Sequence, residues 1–267
     1  MISDLLVGRI RHQLNRFLGA IVFLTRIPIG DLYMFRAEEL PRSAVYFPLV
    51  GLLIGALGGT VLCCARLIFP SLIAALLCML TSVLLTGALH EDGLADAVDG
   101  LAGGNTRERR LAIMKGSTIG VYGAIALWFS LTAKLLLLGS LVEKGMLFAL
   151  SAVIVANGFG RASTVVLLFG CPYARDEDSK ASPFARGITP GELIASLVPP
   201  VFTAFLFLGR EALACLCAAA AAVWAAGVFY RNHIGGITGD CLGATNQLIE
   251  LLCYLVLVGG AAAPARA

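Results

Sequence analysis

The chain has 267 residues, 58% of them hydrophobic and only 14% charged, with a mean hydropathy of +0.87. A soluble domain carries about 25% charged residues, and a nucleic-acid binder needs a strongly basic face, so both classes are excluded. A formal net charge of +3 points to no charged partner, and the partner the composition does imply is the lipid bilayer.

A basic start (Arg9, Arg11, Arg16) runs into the apolar stretch Phe17–Ile29. No small-residue cleavage site follows, so no removable signal peptide is expected. Arg26 and Pro28 break that stretch, which reads as interfacial or re-entrant rather than spanning. Seven further runs read as candidate spans, most of them near or above the length of about 20 residues that crosses a bilayer and the last one shorter. They are Ser43–Phe69, Leu72–Leu89, Ile119–Leu141, Leu147–Gly170, Leu193–Leu208, Ala212–Phe229 and Gln247–Val258. Their apolarity is continuous rather than alternating. The fold class is therefore all-α: a polytopic transmembrane helical bundle of about seven spans, one integral-membrane domain over residues 1–267.

The connections alternate between two kinds. Gly30–Arg42, His90–Thr118, Cys171–Gly191 and Tyr230–Asn246 are long and polar, whereas Pro70–Ser71, Val142–Gly145 and Arg210–Glu211 are very short. Most Lys and Arg residues lie in the long ones and in the N-terminal segment, so positive-inside bias puts those in the cytoplasm and the C-terminus outside. The eight cysteines form no CxxC or Cys/His cluster and serve as small hydrophobes. No internal repeat of the kind that favours a transporter is visible.

Chemistry concentrates in three polar segments. In His90-Glu-Asp-Gly-Leu-Ala-Asp-Ala-Val-Asp-Gly100, Asp92, Asp96 and Asp99 are spaced i, i+4, i+7. On a helix they share about 60° of arc. Such charge beside a membrane is costly unless a cation or a watery site compensates it, and oxygen ligands suit Mg²⁺, Mn²⁺ or Ca²⁺. Next come Arg107-Glu-Arg-Arg110 and Lys115 to Gly123, cations suited to phosphate, with Gly120 and Gly123 allowing close approach. Arg109 and above all Lys115 are the candidates there. The third segment, Gly235 to Gln247, opens the last span with glycines, which present backbone N–H groups to an anion. Gly239 and Asn246 are substrate-binding candidates, and Asp240 can complete the metal site. Glu250 lies one turn beyond Asn246. Deeper in the membrane, Arg161 is the stronger functional candidate, and Lys134 reads equally as a snorkelling side chain.

These segments, in this order, resemble the cobalamin-5′-phosphate synthase family (adenosylcobinamide-GDP ribazoletransferases). The likeness runs through Phe23-Leu-Thr-Arg-Ile-Pro28, Tyr46-Phe-Pro-Leu-Val-Gly51, the HEDGLADAVDG core, Lys115–Gly123, Tyr173-Ala-Arg175 and GGITGDCLGA. The resemblance implies a bacterial inner-membrane enzyme of vitamin B12 nucleotide-loop assembly. It would transfer the cobinamide-phosphate part of adenosylcobinamide-GDP to α-ribazole or its 5′-phosphate, with Mg²⁺ as cofactor and GMP released. It puts Asp92, Asp96, Asp99 and Asp240 at the metal-diphosphate centre, as metal ligands and catalytic groups. The chemistry of an attacking hydroxyl asks one Asp to take its proton, a role for which Asp92 is favoured, although the sequence alone does not assign ligand and base among them. Two departures stand out: Gly116 replaces a usual acidic residue, and Asp178-Ser-Lys180 replaces a usual Gly-Leu-Gly run. CDP-alcohol phosphotransferases and membrane prenyltransferases fit less well. The Ala-Arg spacing of the former is missing, and the second Asp-rich motif of the latter is reduced to Asp240. A cation transporter fits least, because the carboxylates sit at one face rather than mid-membrane. Gly-rich spans permit the close packing of a homo-oligomer.

Overall fold

Within a bilayer, backbone N–H and C=O groups find no water, so an apolar run must bond to itself. The computed structural model, which describes residues 2–34, 40–175 and 187–260, meets that demand with helices. In chain order they are α1 (Ile2–Leu24), α2 (Leu40–Ser43), α3 (Phe47–Arg66), α4 (Ser71–Thr86), α5 (Leu89–Gly103), α6 (Arg107–Met114), α7 (Val121–Lys144), α8 (Met146–Gly170), α9 (Pro190–Leu208), α10 (Glu211–Ile234) and α11 (Gly239–Gly260). No strand forms among the described residues. The all-helical expectation holds.

Among the described residues, six helical segments are long and apolar enough to cross a membrane: Pro41–Arg66 and α7 to α11. The pair α4 and α5 passes only together, bent by 86°. The far end of the bundle is marked by Ser71 of α4 bonding Glu143 of α7, and by Lys144 bonding the Val258 carbonyl of α11. Thus α4 runs from the far end to the other, where α5 turns across the bundle. Counting α4 as a crossing gives seven, as the hydropathy suggested. The Phe17–Ile29 stretch is not among them. Its first part completes α1 and the rest is loop.

The turn between α4 and α5 is made by two successive left-handed residues, Gly87 (φ 64°) and Ala88 (φ 60°). A non-glycine residue there costs roughly 1–3 kcal/mol, so the surroundings must impose it. Arg26 helps: its backbone N–H donates to Leu85 O at 2.7 Å, and its side chain packs where Gly87 lacks a Cβ. The Phe23–Pro28 motif therefore braces the bend that swings the acidic helix across the bundle.

At the centre lies α8, 83% buried over its apolar window against 22% for the peripheral α9. The connections Gly87–Gly120 and Ile234–Gly239 and the segment Cys171–Arg175 gather at the α5 end, joined by Ala174 N–H to Ile237 O (2.8 Å) and by Ile237 N–H to Pro172 O (2.9 Å). The short connections gather at the far end.

Candidate active site

The acidic helix reaches its place through two glycines. Where α5 crosses the first turns of α11, a Cβ on Gly93 would lie 3.1 Å from Gly243 Cα and 3.1 Å from the Asp240 carbonyl. Backbone meets backbone, and Asp240 arrives beside the carboxylates of α5 although it is far away in sequence. Of these, Asp92 is exposed and Asp96 half-buried. The carboxyl of Asp96 is pushed up to about 6, first by burial and then by the negative charges of Asp92, Asp240 and Asp99, partly offset by Arg175. A carboxyl raised by its negative neighbours marks a site short of positive charge.

Asp240 is held from one side. Its Oδ2 accepts from Arg175 Nη2 at 3.0 Å and from Thr238 Oγ1 at 3.2 Å. Thr238 Oγ1 in turn accepts the Cys241 N–H at 3.3 Å, capping the start of α11. Two arginines fasten the surrounding loops by their carbonyls. Arg107 donates to Ile234 O and Ala174 O, both at 2.9 Å, and Arg110 to Gly104 O (2.9 Å) and His233 O (3.0 Å). The segment Arg107–Arg110 was expected to bind phosphate. Two of its three arginines are instead structural ties, and the third, Arg109, is exposed.

Several expected site residues take other positions. Asp99 is buried beneath the start of α7, where Oδ2 accepts the Gly120 N–H (2.6 Å) and Oδ1 the Gly123 N–H (2.8 Å). A carboxylate is well placed there because an anion at a helix N-terminus meets unsatisfied donors and the positive end of the dipole. A Cβ at either glycine would collide with it. Gly120 and Gly123 thus admit Asp99, rather than substrate, and Asp99 departs from the expected ligand face. Lys115 caps the end of α6 and is exposed, as is Gly116 beside it. Gly239 begins α11, one residue before Asp240. Asp178-Ser-Lys180 lies outside the described residues. Among the described residues, no three Asp, Glu, His or Cys side chains form a ready-made metal cage.

The stretch 16–258 matches the family model for cobalamin-5-phosphate synthase.

The chain belongs to the cobalamin-5-phosphate synthase family.

It is 40% identical over 248 residues to an adenosylcobinamide-GDP ribazoletransferase of Shewanella frigidimarina, covering 92% of this chain and 95% of that one. It is 41% identical over 251 residues to the protein of that name in Vibrio parahaemolyticus (93% and 94% covered), and 40% identical over 258 residues to one in Vibrio cholerae (93% and 95%). No solved structure matches it. Its activity is that of a cobalamin synthase of nucleotide-loop assembly.

Behind the acidic face, this family member carries a second polar cluster inside the bundle. Lys134 Nζ donates to Glu250 Oε2 (2.6 Å) and Gln247 Oε1 (2.7 Å), and Arg161 bonds the other oxygen of Glu250 and Asn157 Oδ1 (2.8 Å). Gln247 Nε2 then donates to Glu91 Oε1 at 3.1 Å, linking the cluster to α5. All but Glu91 are buried. Lys134 is therefore not snorkelling. Arg161 is spent on Glu250 and Asn157, which argues against the substrate contact expected of it. Asn246 is fully buried against Gly160, its amide without a hydrogen-bond partner. The sequence reading missed Arg175 as partner of Asp240, and Gln247 and Glu91 as links. The only signal for Arg175 was its place in the Tyr173-Ala-Arg175 motif.

Proposed function

We propose that this protein transfers the cobinamide-phosphate part of adenosylcobinamide-GDP to α-ribazole or its 5′-phosphate, at a cytoplasmic-facing site formed by Asp92, Asp96 and Asp240. The observation that supports this most directly is the Gly93–Gly243 crossing, which brings the closing GGITGD motif onto the acidic helix. In the reaction a hydroxyl oxygen forms a bond to phosphorus, the bond to the GMP oxygen breaks, and the hydroxyl proton leaves. Asp96, with its carboxyl pushed up to about 6, suits that proton, because a general base works best near ambient pH. Arg175 holds Asp240 at 3.0 Å and can turn its remaining donors to phosphate oxygens.

Mg²⁺ fits this donor set. The carboxylates are in charge surplus and open to solvent, and Mg²⁺ takes one or two carboxylates while keeping water and substrate oxygens. Two of the three carboxylates of Asp92, Asp96 and Asp240 would hold it. Bound there, the ion would neutralise charge developing on the phosphate oxygens. The long polar segments and the N-terminal segment together carry most of the Lys and Arg residues, which supports their facing the cytoplasm of a bacterial inner membrane.

The test is turnover of adenosylcobinamide-GDP with α-ribazole phosphate by the purified protein in lipid, with and without Mg²⁺. Metal-dependent GMP release with a cobalamin product, abolished in Asp92→Asn and Asp240→Asn, is the expected result. A folded preparation that makes no product with Mg²⁺ present would overturn the proposal.

A further inference from the structure

A groove runs between α8 and α10 on the side of the bundle away from the acidic helix. It encloses about 330 Å³ and is roofed by Pro200 of α9. Along α10 its lining extends from Leu216 to Arg231, about 22 Å at the helical rise, and along α8 from Phe159 to Cys171, about 18 Å. The floor is low because the α10 side presents Ala219, Ala220 and Gly227. Ser163 spends its hydroxyl on Gly160 O at 2.6 Å. The lining therefore offers hydrocarbon throughout and one charge, the exposed Arg231 at the loop end, whose Nε reaches Gly227 O at 3.3 Å.

Water gains nothing in such a slot, because it needs two to four polar partners. A nucleoside is too short to fill it. A long hydrocarbon chain ending in an anion matches its length, its apolarity and its single terminal cation. We infer that this groove is a binding site for one acyl chain of an anionic phospholipid, whose phosphate pairs with Arg231. The two helix ends at its mouth lead into the segments that carry the active site. Cys171 begins the stretch to Arg175, and Arg231 precedes the stretch to Asp240, the two being joined at Tyr173 and Ile237. A lipid seated there steadies both from behind.

Trp224 lines the groove and the only other tryptophan is Trp128, so Trp128→Phe leaves a single reporter. The full chain in phosphatidylcholine vesicles would receive a minor fraction of phospholipid brominated on the acyl chain, with either a phosphatidylglycerol or a phosphatidylcholine headgroup. Brominated phosphatidylglycerol should quench Trp224 several-fold more than brominated phosphatidylcholine at equal content. Arg231→Gln should erase that preference by removing the charge, and Ala220→Phe by filling the slot while Arg231 stays. Equal quenching by both lipids in the parent would overturn the site. So would a preference that survives Arg231→Gln, because anionic lipid would then gather only on the general charge of that face. A preference that survives Ala220→Phe would show a headgroup bound without its chain in the groove, and would overturn it equally.

Discussion

Two charged regions lie one behind the other in this bundle, and they obey opposite rules. In the inner one, Glu250 is shared between Lys134 and Arg161, and every charge faces an opposite charge. In the outer one, Asp92, Asp96 and Asp240 lie near Arg175, which pairs with Asp240, and burial together with the neighbouring negative charges raises the affinity of Asp96 for protons. A charge enclosed by apolar helices is tolerable only when paired. Carboxylates left in surplus at the open end are tolerable because water and an arriving cation can reach them. The contrast separates what holds the helices together from what is proposed to act on substrate.

Removing one charge from each region sharpens that contrast. Asp96→Asn should lower kcat by about 10²–10⁴-fold, the span typical of a lost general base, and leave the melting temperature in detergent unchanged. An equal loss of folded protein would make Asp96 structural and erase the distinction. Glu250→Gln should do the reverse. Breaking a buried pair costs about 3–5 kcal/mol, visible as a lower melting temperature and poor yield, because two buried cations lose their shared partner. Asp99→Ala tests the boundary between the regions. It leaves the N–H groups of Gly120 and Gly123 without their acceptor and should destabilise by about 1–3 kcal/mol. If Asp99→Ala instead abolished activity in a fully stable protein, Asp99 would belong to the ligand set after all.

The smallest effect concerns pH. Asp96 is protonated below about 6 and ionised above it, and only the ionised form can hold a cation. Half-saturating Mg²⁺ should therefore rise about tenfold between pH 7 and pH 5, one proton competing with one ion. Asp96→Asn should flatten that dependence. An unchanged slope would place the cation elsewhere.

Much of the architecture is legible in the chain because hydropathy reports on each segment by itself. The seven apolar runs and the i, i+4, i+7 aspartates belong to this kind. Helical periodicity says which residues share a face, and is silent about what covers that face. Asp92, Asp96 and Asp99 share one arc, yet the start of α7 covers Asp99 alone. Arg107 and Arg110 look like phosphate ligands by type but find backbone carbonyls, which carry no sequence signature. The Lys134–Glu250–Arg161 cluster depends on three helices meeting, and no local pattern encodes such a meeting. The closing GGITGD segment was set beside the acidic motif by residue chemistry and by resemblance, and the Gly93–Gly243 contact supplies the physical reason.

That contact also bears on how the protein is made. Asp240, Gln247 and Glu250 all belong to α11, the last of the described helices to leave the ribosome. Until it inserts, Lys134 and Arg161 wait in the nascent bundle without their carboxylate, and each such cation costs about 2.5–3.5 kcal/mol at mid-membrane. The arrival of α11 discharges that debt and completes the acidic pocket in the same movement. Biogenesis is thereby tied to competence: a chain stalled before α11 holds neither its internal lock nor a pocket able to engage a nucleotide-activated substrate.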